Sequence, residues 1–216
     1  MKMFRIDGYP LGPVQTNCYF LYDSETKDCL IVDPGEEGDV IIQRVREKGL
    51  KPHAILLTHA HFDHIGAVDD VRDAFHIPVY QHVEEKEWLQ NPELNGSAKY
   101  FQLPDVAGRP ADHYIEEEGT YTVGPFTFEV FHTPGHSPGS ITYYFEPFKT
   151  ALVGDVIFRQ SIGRTDLIGG SLETLLLSIK NRILTLPEDT VLYPGHGGAT
   201  TPAAEKVDNP FIREYL

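Results

Sequence analysis

Residues 58–66 read Thr-His-Ala-His-Phe-Asp-His-Ile-Gly. Three histidines and an aspartate fall between positions 59 and 64. Imidazole nitrogen and carboxylate oxygen are ligands that divalent zinc and iron accept. His59 and His61 are two apart, so in extended backbone they point the same way. Asp63 and His64 are adjacent, and a turn can aim them at a second point close by. One short stretch can therefore begin two metal sites.

Metal sites begun this way need further ligands, and the sequence offers them downstream. His136 follows an apolar stretch at 126–131, Asp155 follows one at 150–153, and His196 follows one at 190–193. Glycines beside each let the backbone come close to a crowded centre.

The elements that must carry these residues can be read from periodicity. Short strands are expected at 4–7, 17–22 and 29–32, broken at Pro10, Pro13 and the charged turn 23–28. A helix is expected over 39–48, with Gly49 as its stop. The run Ala54-Ile55-Leu56-Leu57 reads as a buried strand leading into the histidine cluster. A helix at 67–75 and a strand at 78–81 follow. Residues 82–114 are the least regular part, with Trp88, Tyr100 and Phe101 set among Pro, Asn and Gly. They read as a surface excursion pinned by aromatics, or as a wall beside a site. Strands are expected at 121–123, 126–131, 141–145, 150–153 and 190–193. Leu172, Leu175, Leu176, Ile179, Ile183 and Leu186 recur at helical steps, which predicts a helix with a broad buried face. A helical tail covers 202–216. The turns Asp33-Pro34-Gly35, Pro134-Gly135-His136 and Pro194-Gly195-His196 end strands in both halves, which suggests two sheets packed face to face with helices outside.

The whole-chain numbers narrow the function classes. The 216 residues carry 18 basic and 32 acidic side chains, a formal charge of −14. So acidic a chain is poorly suited to gripping phosphate backbones, and no nucleic-acid partner is expected. The hydrophobic content of 41% is that of a globular protein. No stretch approaches the ~18–20 apolar residues of a membrane span, and the N-terminus carries no signal-peptide pattern. Two cysteines, Cys18 and Cys29, make no disulfide framework and read as small core residues. A cytoplasmic protein with no membrane partner is expected. The oligomeric state is not legible.

The complete His-x-His-x-Asp-His motif at 59–64, with His136, Asp155 and His196 following in order, resembles the metallo-β-lactamase superfamily. Within it, the chain is similar to the compact bacterial glyoxalase II-like (hydroxyacylglutathione hydrolase-like) branch. The resemblance covers essentially the whole chain. It implies an α/β (α+β) fold, a four-layer αββα sandwich, as one domain over residues 1–216 built of two similar halves of about 1–110 and 111–216. It implies two divalent metal ions per chain, zinc first and iron or manganese as alternatives. His59, His61 and His136 would hold one, Asp63, His64 and His196 the other, and Asp155 would bridge them. His53, His76, His82, His113 and His132 read as ordinary residues, with His132 close enough in sequence to support a ligand. Asp33 reads as a buried turn or network residue.

The chemistry so implied is hydrolysis. Two divalent ions lower the pKa of a water between them from ~15.7 toward ~7, and the bridging hydroxide attacks a carbonyl. Asp63 is the candidate catalytic carboxylate, accepting the proton of that nucleophile. A thiolate leaves easily, since a free thiol has a pKa of ~8.5, so an S-(2-hydroxyacyl) thioester such as S-lactoyl-glutathione or another acyl-thiol is the expected small-molecule substrate. Arg164 matches the family's basic, conjugate-binding residue and is the substrate-binding candidate. Its alternative role is to pin its turn through Asp166, which stands where larger members carry a tyrosine. Only 20 residues follow His196, so the C-terminal helical domain of those members is not expected. The alternative activity is a mononuclear-iron persulfide dioxygenase using His59, His136 and Asp155, and a lactonase ranks lower. A secreted β-lactamase ranks lower too: it would need an export signal, and several such enzymes carry Cys where Asp155 stands.

Overall fold

The computed structural model describes residues 4–99 and 104–215. Tyr100, Phe101 and Leu216, which belong to the irregular segment and the tail above, lie outside the described residues. The chain forms two compact units, Met1–Glu116 with Thr122–Phe126, and Glu117–Tyr121 with Thr127–Leu216.

The first unit is built on a six-stranded sheet. Its strands are β1 (Phe4–Leu11), β2 (Thr16–Asp23), β3 (Asp28–Val32), β4 (Lys51–Leu56), β5 (Val79–His82) and β6 (His113–Ile115), in that spatial order. The first three pair antiparallel and the rest parallel. Parallel neighbours need crossovers. α1 (Gly38–Glu47) supplies one between β3 and β4, and α2 (Phe62–Ile65) with α3 (Val68–Phe75) supplies the next. Alternation along the strands sends Cys18, Phe20, Cys29, Ile31, Ile55 and Val79 into one core with Ile41, Val45, Val68 and Val71 of the helices. β1 runs on through Pro10, where a break was expected, because an edge strand tolerates the missing donor.

Residues 82–114 contain more order than their composition suggests. Single 3-10 turns at Val83–Glu85, Trp88–Gln90 and Ser97–Lys99 flank the short α4 (Pro92–Asn95). Trp88 and Leu89 are buried in the unit's core. The Asn95 amide, itself buried, donates to the carbonyls of Trp88 at 3.0 Å and Val106 at 2.8 Å.

The second sheet comprises β7 (Gly119–Val123), β8 (Phe126–His132), β9 (Ile141–Phe145), β10 (Thr150–Gly154) and β13 (Val191–Pro194), ordered β13-β10-β9-β8-β7. A small hairpin of β11 (Ile157–Phe158) and β12 (Ser161–Ile162) follows β10. α5 (Leu172–Ser178) continues into a π-helical turn, Ile179–Ile183, and makes the crossover to the parallel β13. Leu175, Ile179, Ile183 and Leu186 pack on Ala151, Val153 and Leu192. Leu172, expected on the buried face, is 40% exposed. It lies in the first turn of α5, ahead of the stripe that starts at Leu175. The expected tail helix is broken into α6 (Pro202–Asp208) and α7 (Pro210–Tyr215). Pro210 disfavours helical backbone at Asn209, whose side chain instead accepts from the backbone of Phe211 and Ile212. No helix among the described residues is long and apolar enough to cross a membrane.

Candidate metal centre

β4 delivers the histidine cluster. The chain bends at Thr58, and His61, in extended backbone (φ −67°, ψ 149°), is the residue before α2, on whose single turn Asp63 and His64 sit. The rings of His59 and His61 are 4.8 Å apart, and those of His59 and His64 are 4.1 Å apart. The Trp88 ring stands 5.5 Å from that of His61.

The turn Asp33-Pro34-Gly35 clamps α2 from below. The Ala67 amide donates to the Pro34 carbonyl at 3.0 Å. A Cβ on Gly35 would lie 1.8 Å from the Asp63 carbonyl oxygen, so no other residue fits there without displacing the helix. Asp33 itself is buried in left-handed backbone (φ 49°). Its Oδ1 accepts from the Thr58 amide at 2.7 Å, and its Oδ2 accepts from the Thr58 hydroxyl at 2.6 Å and from His64 Nδ1 at 3.0 Å. The Thr58 hydroxyl, its proton committed to Asp33, can only accept from His59 Nδ1 at 3.1 Å. One carboxylate therefore puts the proton on Nδ1 in both rings and leaves the Nε2 lone pairs for a metal.

Three further residues support the cluster without being readable as ligands or helpers from the sequence. The Thr16 hydroxyl donates to Asp63 Oδ2 at 2.8 Å. Glu85, fully buried, accepts from the Ala60 amide at 2.6 Å, between the two histidines. Thr58 relays Asp33 to His59, as above. Near the cluster, Glu36 has its carboxyl raised by burial, then by Glu37 and Asp63.

In the second unit, strand ends carry the other three donors. His136 Nδ1 donates to the Arg164 carbonyl at 2.8 Å, which fixes its tautomer in the same sense. Gly135 holds φ 130°, and a Cβ there would meet the backbone of Leu175 at 2.3 Å, so the His136 turn is locked against α5. Asp155 follows β10 directly. Its Oδ2 lies 3.6 Å from His136 Nε2 and 3.5 Å from His196 Nε2. The Gly195 amide donates to the Gly154 carbonyl at 2.8 Å, tying the two strand ends together. Arg164 is ion-paired to Asp166 through two bonds of 2.7 and 2.8 Å. His132 Nε2 bonds the Pro138 carbonyl, and His53 bonds Asp28.

Within the first unit His59, His61, Asp63 and His64 lie together after β4, and within the second His136, Asp155 and His196 stand at strand ends. The donors fit divalent ions. Two donors bound at about 2.0–2.1 Å to one tetrahedral ion stand about 3.4 Å apart. The imidazole–carboxylate separations of 3.5, 3.6 and 3.5 Å, at His64–Asp63, His136–Asp155 and His196–Asp155, are close to that. The set contains no thiolate. Burial, then Asp33 and Cys29, pushes the Cys18 thiol well above its ordinary value, and burial with Asp7 does the same to Cys29. Both thiols are core groups.

The Metallo-beta-lactamase superfamily matches residues 11–196. Over 206 residues the chain is 52% identical to the probable metallo-hydrolase YqgX of Bacillus subtilis, covering 95% of this chain and 96% of that one. It is 38% identical over 209 residues to the hydroxyacylglutathione hydrolase GloC of Haemophilus influenzae, covering 96% and 98%. Among solved structures it resembles BLEG-1 B3 metallo-beta-lactamase (TM-score 0.94, 52% identity, 96% and 99% covered). It also resembles TTHA1623 in a di-iron-bound form (0.83, 38%, 95% and 99%) and ETHE1 from Myxococcus xanthus (0.77, 28%, 96% and 83%).

Proposed function

The chain belongs to the metallo-β-lactamase superfamily and is a metallo-hydrolase, and from that premise we propose that it cleaves an S-(2-hydroxyacyl) thioester, S-lactoyl-glutathione or a related acyl-thiol. The observation that carries this reading is the 38% identity, over nearly the full length of both chains, to a hydroxyacylglutathione hydrolase.

In this reading His59, His61 and His136 would hold one divalent ion, Asp63, His64 and His196 a second, and Asp155 would contribute to both. Zinc is the first choice of metal, with iron and manganese as alternatives; a relative of 38% identity binds two irons. Divalent ions held there would supply polarisation of a carbonyl and acidification of water toward neutral pH. Asp63, steadied by the Thr16 hydroxyl, would be the carboxylate placed to accept a proton there. Asp33 and the Arg164 carbonyl keep three imidazoles in the ligating tautomer. The Arg164 guanidinium, held by Asp166, pairs with a substrate carboxylate. The thiolate departs with little acid assistance.

A second reading rests on the 52% identity to a structure described as a B3 metallo-beta-lactamase, and would make a β-lactam amide the bond cleaved. Metal analysis and one substrate panel separate the readings. The panel holds S-lactoyl-glutathione, other acyl-thiols, lactones, a chromogenic cephalosporin and a persulfide under an oxygen electrode. About two ions per chain, thioester cleavage and no oxygen uptake are expected. Preferred cleavage of the cephalosporin would replace the thioester reading, and oxygen consumption with a single iron would overturn the hydrolase.

A further inference from the structure

The second unit carries an apolar surface that the hydrolytic chemistry does not use. Eight large apolar side chains are exposed among the described residues, and six of them, Ile168, Leu172, Leu177, Val207, Phe211 and Tyr215, fall in its C-terminal stretch. Three of the six, Leu172, Leu177 and Tyr215, share one groove rather than being scattered singly. Leu172, Leu176 and Leu177 of α5 line one open groove of about 510 Å³ with Tyr215 at the end of α7. The buried side of α5 is already satisfied by its own core, so the exposed leucines are surplus to the fold.

The charges on the groove indicate what covers it. Glu173 and Lys180 both line it, and Leu176 and Leu177 lie midway between them in sequence. A two-fold axis through that midpoint sets Glu173 against Lys180 of a second copy, Lys180 against Glu173 of that copy, and Leu176 against Leu177. An isologous interface must be complementary to itself, and one acid and one base at equal distances from an apolar centre meet that condition. A rim of one sign would repel its own copy.

We propose that this chain forms a two-fold dimer in which α5 packs antiparallel on α5 of a second copy, with Tyr215 of α7 at the margin. The proposal is independent of which bond the metal centre cleaves. The helix with its π-helical turn is about 18 Å long, so the interface falls at the small end of specific interfaces and the dimer dissociates in the micromolar range.

The test is sedimentation velocity of the full chain, metal-loaded, from about 1 to 200 μM. The expected result is a concentration-dependent monomer–dimer equilibrium. Leu177→Glu leaves only monomer across that range. E173K or K180E alone sets like charges opposite each other twice per dimer and weakens association at least about 10-fold. The double variant E173K/K180E restores the wild-type constant to within about threefold, because the pairs are re-formed with their signs exchanged. That rescue excludes misfolding as the cause of the single losses. A wild-type chain that stays monomeric, a dimer indifferent to Leu177→Glu, or a double variant no better than the singles would overturn the proposal.

Discussion

Glu85 Oε2 accepts the backbone N–H of Ala60 at 2.6 Å, and Ala60 is the residue between His59 and His61. A fully buried carboxylate from a 3-10 turn thus holds the peptide that spaces two candidate ligand imidazoles. Removing it leaves a buried donor unsatisfied, which costs about 1–3 kcal/mol, and lets the spacing relax. Glu85→Ala is expected to lower metal affinity by about 10–100-fold, the range typical of outer supporting groups. Competition of the metal-free chain against a chromogenic chelator measures this directly, and an unchanged affinity would show that Glu85 supports only the fold.

Asp33 acts on two candidate ligands at once, on His64 directly and on His59 through Thr58. Asp33→Asn keeps the shape but turns one acceptor into a donor. The amide cannot accept from the Thr58 amide, the Thr58 hydroxyl and His64 Nδ1 together. At least one imidazole then loses the contact that sets its tautomer. Metal affinity should fall by about 10–100-fold while the far-ultraviolet circular dichroism is kept. Full metal loading at wild-type affinity would remove Asp33 from its assigned role.

The division between what was legible and what was not follows from where the information lies. The seven donors can be picked out because their chemistry is in their side chains and their spacing follows strand ends. Asp33 was legible as a network residue for the same reason. Glu85, Thr16 and Thr58 were not, because their contribution is a contact made across 25, 47 and 25 residues of chain, to Ala60, Asp63 and Asp33 respectively, and no local pattern encodes such a contact. β6, β11 and β12, of three, two and two residues, are too short for alternation to show. Leu172 fits the helical period yet is exposed, because periodicity reports a stripe but not at which turn its burial begins.

The buried thiols give a pH signature. Cys18 and Cys29 have thiols raised above the ordinary value by burial, so the native state keeps them protonated where the unfolded chain releases them. Their contribution to stability is complete below the unfolded thiol pKa of about 8.5 and is lost as pH rises above it, by up to about 1.4 kcal/mol per pH unit per thiol. Urea unfolding of the metal-free chain at pH 7.5 and 9.5 should show this loss. The C18A/C29A double variant should show a shallower slope, and equal slopes would rule the thiols out.

Arg164 makes two separable contributions. Its carbonyl accepts from His136 Nδ1, and its guanidinium is paired to Asp166. Arg164→Ala keeps the first and deletes the second. If the guanidinium binds a substrate carboxylate, the variant raises KM for an acyl-glutathione about 10-fold or more while kcat and metal content change little. An acyl-thiol lacking the carboxylate should show no KM difference between the two proteins. A fall in metal content instead would assign Arg164 to the turn.

Asp155 Oδ2 is nearly equidistant from His136 Nε2 and His196 Nε2, which belong to different proposed ligand sets. A carboxylate shared in this way makes an asymmetric prediction. Asp155→Ala removes the one ligand common to both proposed sets, leaving His59, His61 and His136 in one and Asp63, His64 and His196 in the other. Both ions should be lost on dialysis against a weak chelator, with activity falling by at least about 10³-fold. His61→Ala touches only one set, so about one ion per chain should remain. Elemental analysis of the two variants beside wild type decides the matter. If Asp155→Ala keeps one tightly bound ion while His61→Ala loses both, Asp155 is a private ligand of one site and the shared assignment fails.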